Sequence, residues 1–125
     1  MPKIISAEDD PHIRLIFAYA FRRLAGWPIT LVEEGTALLE AVAAAPPDLI
    51  LLDVGLPGLD GIAVYGRLRE REASRAIPVL FVTAVPDRVA RARLEGPHAC
   101  LPKPFAVKDL FRQVAALLGD PLARL

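Results

Sequence analysis

Leu49-Ile50-Leu51-Leu52-Asp53 is four apolar residues in a row closed by an acid, with Pro46-Pro47 before it and Pro57-Gly58 after it. A short, unbroken apolar run bounded by turn residues is expected for a β-strand covered on both faces. Working outward, other short apolar runs alternate with helical patterns. Upstream, Lys3-Ile4-Ile5-Ser6-Ala7 reads as a strand. Pro11 then suits the first position of a helix, with Asp10 as its cap. Ile13, Ile16, Phe17, Ala20, Phe21 and Leu24 recur at three- and four-residue spacing, and Gly26 fits the stop. Ile29-Thr30-Leu31-Val32 is a second strand. Thr36 is the expected cap of a helix that turns Leu38, Leu39 and Val42 inward.

Downstream, Asp60 is read as the cap of a helix carrying Ile62, Tyr65 and Leu68. Pro78-Val79-Leu80-Phe81-Val82 is a fourth strand, and Pro86 to Leu94 a helix with a thin stripe, Val89 and Ala92. Ala99-Cys100-Leu101 is a fifth strand. Val107, Leu110, Phe111, Val114, Leu117 and Leu118 mark a final amphipathic helix. Five strand-then-helix units imply an α/β domain: one five-stranded parallel sheet with helices on both faces. Ligands bind such sheets beyond the carboxyl ends of the strands.

The composition narrows the classes. A chain of 125 residues is expected to form a single domain, 1–125, with its core at about 3–119. Fifteen basic residues balance fifteen acidic ones, which argues against direct nucleic-acid binding by bulk electrostatics. The single cysteine, Cys100, has no internal disulfide partner and fits a reducing compartment. The apolar runs near Ile50 and Val79 are far shorter than a bilayer needs. The expectation is a soluble cytoplasmic protein without a membrane partner.

The polar residues at the strand exits carry the chemistry. Glu8 and Asp9 follow the first strand, Asp53 ends the third, Thr83 the fourth, and Lys103 follows the fifth. Three carboxylates on one rim repel each other unless a cation sits among them. Oxygen-only ligation by Glu8, Asp9 and Asp53 suits Mg²⁺ before Zn²⁺. Lys103 can hold a phosphoryl oxygen and the Thr83 hydroxyl can donate to one. Nucleophile, metal, lysine and hydroxyl together make a site for phosphoryl transfer onto an aspartate. Singly, each residue reads more readily as a cap, a turn, a structural hydroxyl or a surface charge; the joint arrangement is what is specific. Gly58, Asp60 and Gly61 are read as turn and capping residues, His98 and Cys100 as packing or surface positions. The arginines of residues 67–75 and 88–93 are read as solvated helix faces. A cis peptide is expected between Lys103 and Pro104, where a tight exit must aim the lysine back at the rim.

Ile4-Ile5-Ser6-Ala7-Glu8-Asp9-Asp10-Pro11-His12-Ile13-Arg14, the segment Leu51 to Gly61, Val82-Thr83-Ala84 and Leu101-Pro102-Lys103-Pro104-Phe105 together resemble the four motifs of response-regulator receiver domains, over residues 3 to about 119. The resemblance implies a flavodoxin-like (βα)5 fold with strand order 2-1-3-4-5. It implies Asp53 as phosphoacceptor, and Mg²⁺ held by Glu8, Asp9, Asp53 and the carbonyl of Gly55. Thr83 would turn toward the phosphoryl group and Lys103 pair with it. The implied partners are a sensor histidine kinase or phosphotransfer protein and an unknown downstream protein target. The domain would be a signalling module, not an enzyme in its own right.

Three positions depart from the family pattern. Glu8 stands where Asp is usual, and its extra methylene would shift the metal or make its contact water-mediated. Gly55 replaces a larger residue two places after the acceptor; with Val85 it leaves no side chain able to orient an attacking water. Cys100 stands where an aromatic residue usually changes rotamer, which leaves the aromatic part of the switch missing or altered. A phosphorylation-independent interaction domain is the alternative these departures favour, and the retained Asp53, Thr83 and Lys103 argue against it. An aspartyl phosphohydrolase would need a second Asp where Gly55 stands. No output segment follows the last helix, so the chain reads as a stand-alone receiver or one cut from a longer protein. His98, Ala99, Gln113 and Ala115 replace the charged residues expected of receivers that dimerise ahead of winged-helix domains.

Overall fold

The structure is a computed structural model and describes residues 1–119. Positions 120–125, included in the expected domain extent, lie outside the described residues. The strands are β1 (Ile4–Ala7), β2 (Ile29–Val32), β3 (Leu49–Leu52), β4 (Val79–Thr83) and β5 (His98–Pro102). The helices are α1 (Pro11–Ala18), continued by a π-helical stretch (Tyr19–Ala25), then α2 (Gly35–Ala44), α3 (Gly61–Glu70), α4 (Pro86–Ala92) and α5 (Val107–Leu118). All strand pairs are parallel, in the order β2-β1-β3-β4-β5. The expected fold class and strand order are both found.

β3 lies at the centre, and all four of its residues are buried, as an unbroken apolar run requires. Alternate residues serve opposite faces. Leu49 and Leu51 join Ile4, Leu80, Val82 and Leu101 beneath α1 and α5, where Phe17, Phe21, Leu110 and Phe111 close the core. Ile50 and Leu52 join Ile5, Val79 and Phe81 beneath α2, α3 and α4, against Leu38, Val64, Tyr65, Leu68 and Val89.

Three local expectations are corrected. Leu24 and Ile16 do not complete an inward stripe; they are 46% and 37% exposed. From Tyr19 the hydrogen bonding shifts to π spacing, so a turn takes up an extra residue. After the buried Phe21 it is therefore Ala25, rather than Leu24, that packs against the core. Gly26, left-handed with φ 72°, ends the stretch. Thr36 is not the cap of α2. The helix starts at Gly35, after Glu34, with no side-chain capping bond. Packing sets this start: a Cβ on Gly35 would lie 2.5 Å from Val64 Cγ2 and 2.7 Å from the Leu59 carbonyl oxygen, so only glycine lets α2 approach α3. α4 stops at Ala92, which is exposed, so its inward stripe reduces to Val89.

Arg69 is not a solvated face either. Its guanidinium donates to the carbonyls of Ser74, Ile77 and Pro97 and stacks 4.3 Å from the centre of the Tyr65 ring. The Tyr65 hydroxyl donates to Glu95 O at 2.6 Å. Together they tie α3 to the connections that lead into β4 and β5. The Lys103–Pro104 peptide is cis, as expected.

Candidate functional site

Backbone hydrogen bonds prolong the ladder past the strand ends and align the exits. Glu8 N–H donates to Val32 O at 3.0 Å, Asp53 N–H to Ala7 O at 3.2 Å, and Lys103 N–H to Thr83 O at 2.9 Å. The side chains named from the sequence are thereby placed along one rim. Glu8, Asp9 and Asp53 each offer a carboxylate oxygen within 4.8 Å of the others. Glu8 is 1% exposed and Asp53 8%, while Asp9 is exposed. Thr83 is fully buried at the end of β4, and its Oγ1 accepts from Val85 N–H at 3.2 Å. Gly55 N–H donates to Asp53 Oδ1 at 3.3 Å, which fixes the loop beneath the acceptor.

Lys103 bridges two of the acids. Its Nζ lies 3.0 Å from Asp53 Oδ2 and 2.7 Å from Glu8 Oε1. The Asp53 contact is a hydrogen bond; the Glu8 contact is an ion pair by distance, but its angles leave Oε1 without a hydrogen-bond partner. Glu8 Oε2 accepts from Asp10 N–H at 3.1 Å. Burial raises the Glu8 carboxyl above its ordinary value, more than the contacts with Lys103 and Asp10 N–H lower it. Burial by itself would lower the Lys103 ammonium, but Glu8 and Asp53 together outweigh it and the net shift is upward. Three carboxylates converging within 4.8 Å, two of them sharing one ammonium, make an oxygen-only donor set that fits a hard divalent cation. His12, exposed on α1, is absent from that set.

A glycine and a cap hold the acceptor loop. A Cβ on Gly61 would run into the carbonyl of Asp53 and lie 2.8 Å from Val54 Cα. Asp60 caps α3 through Ala63 N–H at 2.9 Å and meets Arg88 of α4 at 3.1 Å. The Ala63 bond foremost, with Arg88 adding to it, holds the Asp60 carboxyl below its ordinary value despite some desolvation. Arg88 is exposed, as expected, and pairs with Asp60 across α3 and α4.

Sequence reading missed Arg14. Its Nη1 donates to Glu8 O at 3.0 Å and Asp9 O at 2.8 Å. Lys103 is therefore not the only cation beside the acids. The signal was available: Asp10 and Pro11 start α1, and side chains one turn in lean back toward the helix start.

Residues 4–115 match the family described as "Response regulator receiver domain". The chain belongs to this family. Among its relatives, the transcriptional activator protein PfeR of Pseudomonas aeruginosa is 37% identical over 117 residues, 94% of this chain and 38% of PfeR. The response regulator MprA of Mycobacterium leprae is 36% identical over 121 residues, 93% of this chain and 50% of MprA. The receiver thus spans half or less of these curated relatives. Among solved structures, the receiver domain of the sensor histidine kinase PA1611 from Pseudomonas aeruginosa superposes with a TM-score of 0.84 at 27% identity. That match covers 95% of this chain and 98% of the other, which has a magnesium ion coordinated in its active site cleft.

Cys100 is half-buried and stands in register with the fully buried Phe81 of β4. Phe81 packs on Tyr65 at 5.5 Å between ring centres, and His98 meets both rings edge-on. The aromatic bulk here is supplied by β4 and α3. On its outer side Cys100 lines a groove of about 330 Å³ with Val89, Leu94 and Pro102. Burial pushes its thiol above the ordinary value.

Proposed function

We propose that this receiver accepts a phosphoryl group on Asp53, and that the acyl phosphate alters which protein it binds. The reading is carried by one observation: the carboxylates of Glu8, Asp9 and Asp53 converge within 4.8 Å, with Lys103 Nζ bound to the middle strand's aspartate. Glu8 and Asp9, with Asp53 and the Gly55 carbonyl, would hold Mg²⁺. The ion supplies charge neutralisation for the incoming phosphoryl oxygens.

The chain's own residues do the rest. An Asp53 carboxylate oxygen attacks phosphorus in line with the donor's leaving group. The new oxygen–phosphorus bond forms as the donor's bond to phosphorus breaks, and the leaving group departs with the bonding pair. Lys103, already on Asp53, pairs with a phosphoryl oxygen. The Thr83 hydroxyl, one residue past the strand position beside Asp53, donates to another once it turns from Val85 N–H. The proposed donor is a phosphohistidine on a sensor kinase or phosphotransfer protein. Catalysis in the receiver is limited to its own phosphorylation and hydrolysis. The proposed location is the cytoplasm, beside such a kinase.

The test is intact-mass spectrometry after incubation with acetyl phosphate and Mg²⁺. Wild type gains one phosphate and Asp53→Asn gains none. Phosphate on Asp53→Asn at the wild-type level would overturn the assignment.

A further inference from the structure

Arg14 Nη1 serves three oxygens: the carbonyls of Glu8 at 3.0 Å and Asp9 at 2.8 Å, and Glu33 Oε1 at 3.6 Å from the connection after β2. The arginine side chain is 22% exposed and Glu33 67%, so the buried end of the arrangement is the one on the main chain. Among the described residues no other hydrogen bond reaches either carbonyl. Glu8 is still tied to β2 through its N–H, but Asp9 lies beyond the strand ladder and before the helix. Its carbonyl is held by Arg14. One guanidinium thus fixes the backbone of two consecutive residues whose side chains point at Asp53.

We propose that Arg14 is a positioning residue for the divalent cation, holding the β1–α1 connection so that the Glu8 and Asp9 carboxylates face Asp53 before the ion arrives. The inference rests on the Mg²⁺ site proposed above. A group that holds ligands in place lowers the ordering cost of binding. It acts through the ligands as an outer partner does in other metal sites.

Charge and geometry make opposite demands here, which gives the idea a sign. Arg14 is a cation near a cation site, so by charge alone its removal should tighten Mg²⁺ binding. As a clamp, its removal should weaken binding.

The experiment measures Mg²⁺ dissociation constants by calorimetry for the full chain, for Arg14→Met and for Arg14→Lys. A parallel series follows the acetyl phosphate reaction against Mg²⁺ concentration. Arg14→Met, with neither charge nor donors, is expected to weaken Mg²⁺ about tenfold. Its half-saturating Mg²⁺ for phosphorylation should rise by the same factor, with the rate at saturation little changed. Arg14→Lys keeps the charge on a shorter stem; it falls between the two and carries the test if the methionine variant does not fold. A folded variant that binds Mg²⁺ as tightly as wild type, or more tightly, overturns the clamp. Wild type that takes up no Mg²⁺ overturns the site itself, and the clamp with it.

Discussion

Glu8→Asp isolates what the extra methylene at this position does. In the structure Glu8 Oε1 reaches Lys103 Nζ at 2.7 Å. Removing one methylene draws the carboxylate back by about 1.5 Å, one carbon–carbon bond, so the contact opens to roughly 4 Å. At an effective dielectric constant of about 20, unit charges attract by about 6 kcal/mol at the first distance and about 4 kcal/mol at the second. The loss is therefore about 2 kcal/mol. The buried methylene itself adds about 0.8 kcal/mol, and a less desolvated carboxylate returns part of both. The metal-free variant is expected to be about 1–2 kcal/mol less stable, at about 3–5 °C in melting temperature per kcal/mol for a domain of this length. Mg²⁺ then meets less competition from the ammonium, and its affinity should rise about tenfold, which is 1.4 kcal/mol. Glu8→Gln keeps the reach without the charge and should bind Mg²⁺ more weakly than wild type. Thermal melts in chelator and over a Mg²⁺ series, with calorimetry for the affinity, read all of this. If Glu8→Asp melts like wild type in chelator, or binds Mg²⁺ no more tightly, the lysine is not competing with the cation for Glu8.

Gly61→Ala should destabilise by several kcal/mol, because the added carbon meets the backbone at Asp53 and Val54, not a movable side chain; a denaturant midpoint equal to wild type would refute the close approach. Asp60→Ala should cost about 1 kcal/mol at neutral pH through the lost cap, the exposed pair with Arg88 adding little. The folded carboxyl lies below its ordinary value of 3.8, so this stability is present above the unfolded value and lost as pH falls through the folded one. The two proteins should converge in acid, and a pH series of melts checks it. The phosphorylated receiver should persist well beyond seconds without a phosphatase. Gly55 has no side chain and Val85 no polar group to orient a water, and decay followed by mass spectrometry decides.

Much of this was legible in the primary structure. The run Leu49 to Leu52 announced a strand buried on both faces, since an unbroken apolar run leaves no face for solvent. Glu8, Asp9, Asp53, Thr83 and Lys103 could be placed together because parallel topology sends every strand exit to the same rim. What escaped reading depends on reach and on packing between distant elements. Arg14 and Arg69 are flexible side chains whose partners are backbone carbonyls, and carbonyls leave no mark in a sequence. The start of α2 is set by the approach of Gly35 to Val64, 29 residues away, so a capping rule applied to neighbours pointed to Thr36 instead. The stripe through Leu24 failed because an even helical period was assumed across a stretch that does not keep it.

That uneven stretch has a consequence for how the chain tolerates changes of length. Between Tyr19 and Ala25 the helix spends more residues than an α-helix needs to cover the same rise. Shortening it by one residue there would let the ladder close with α spacing, bring the residue at Leu24 round to the position now filled by Ala25, and leave Phe17 and Phe21 where they are. In most of the core a one-residue deletion throws every following side chain off its face. Here the slack is stored in the Tyr19–Ala25 stretch, where losing a residue should do less harm than in a regular helix of the core.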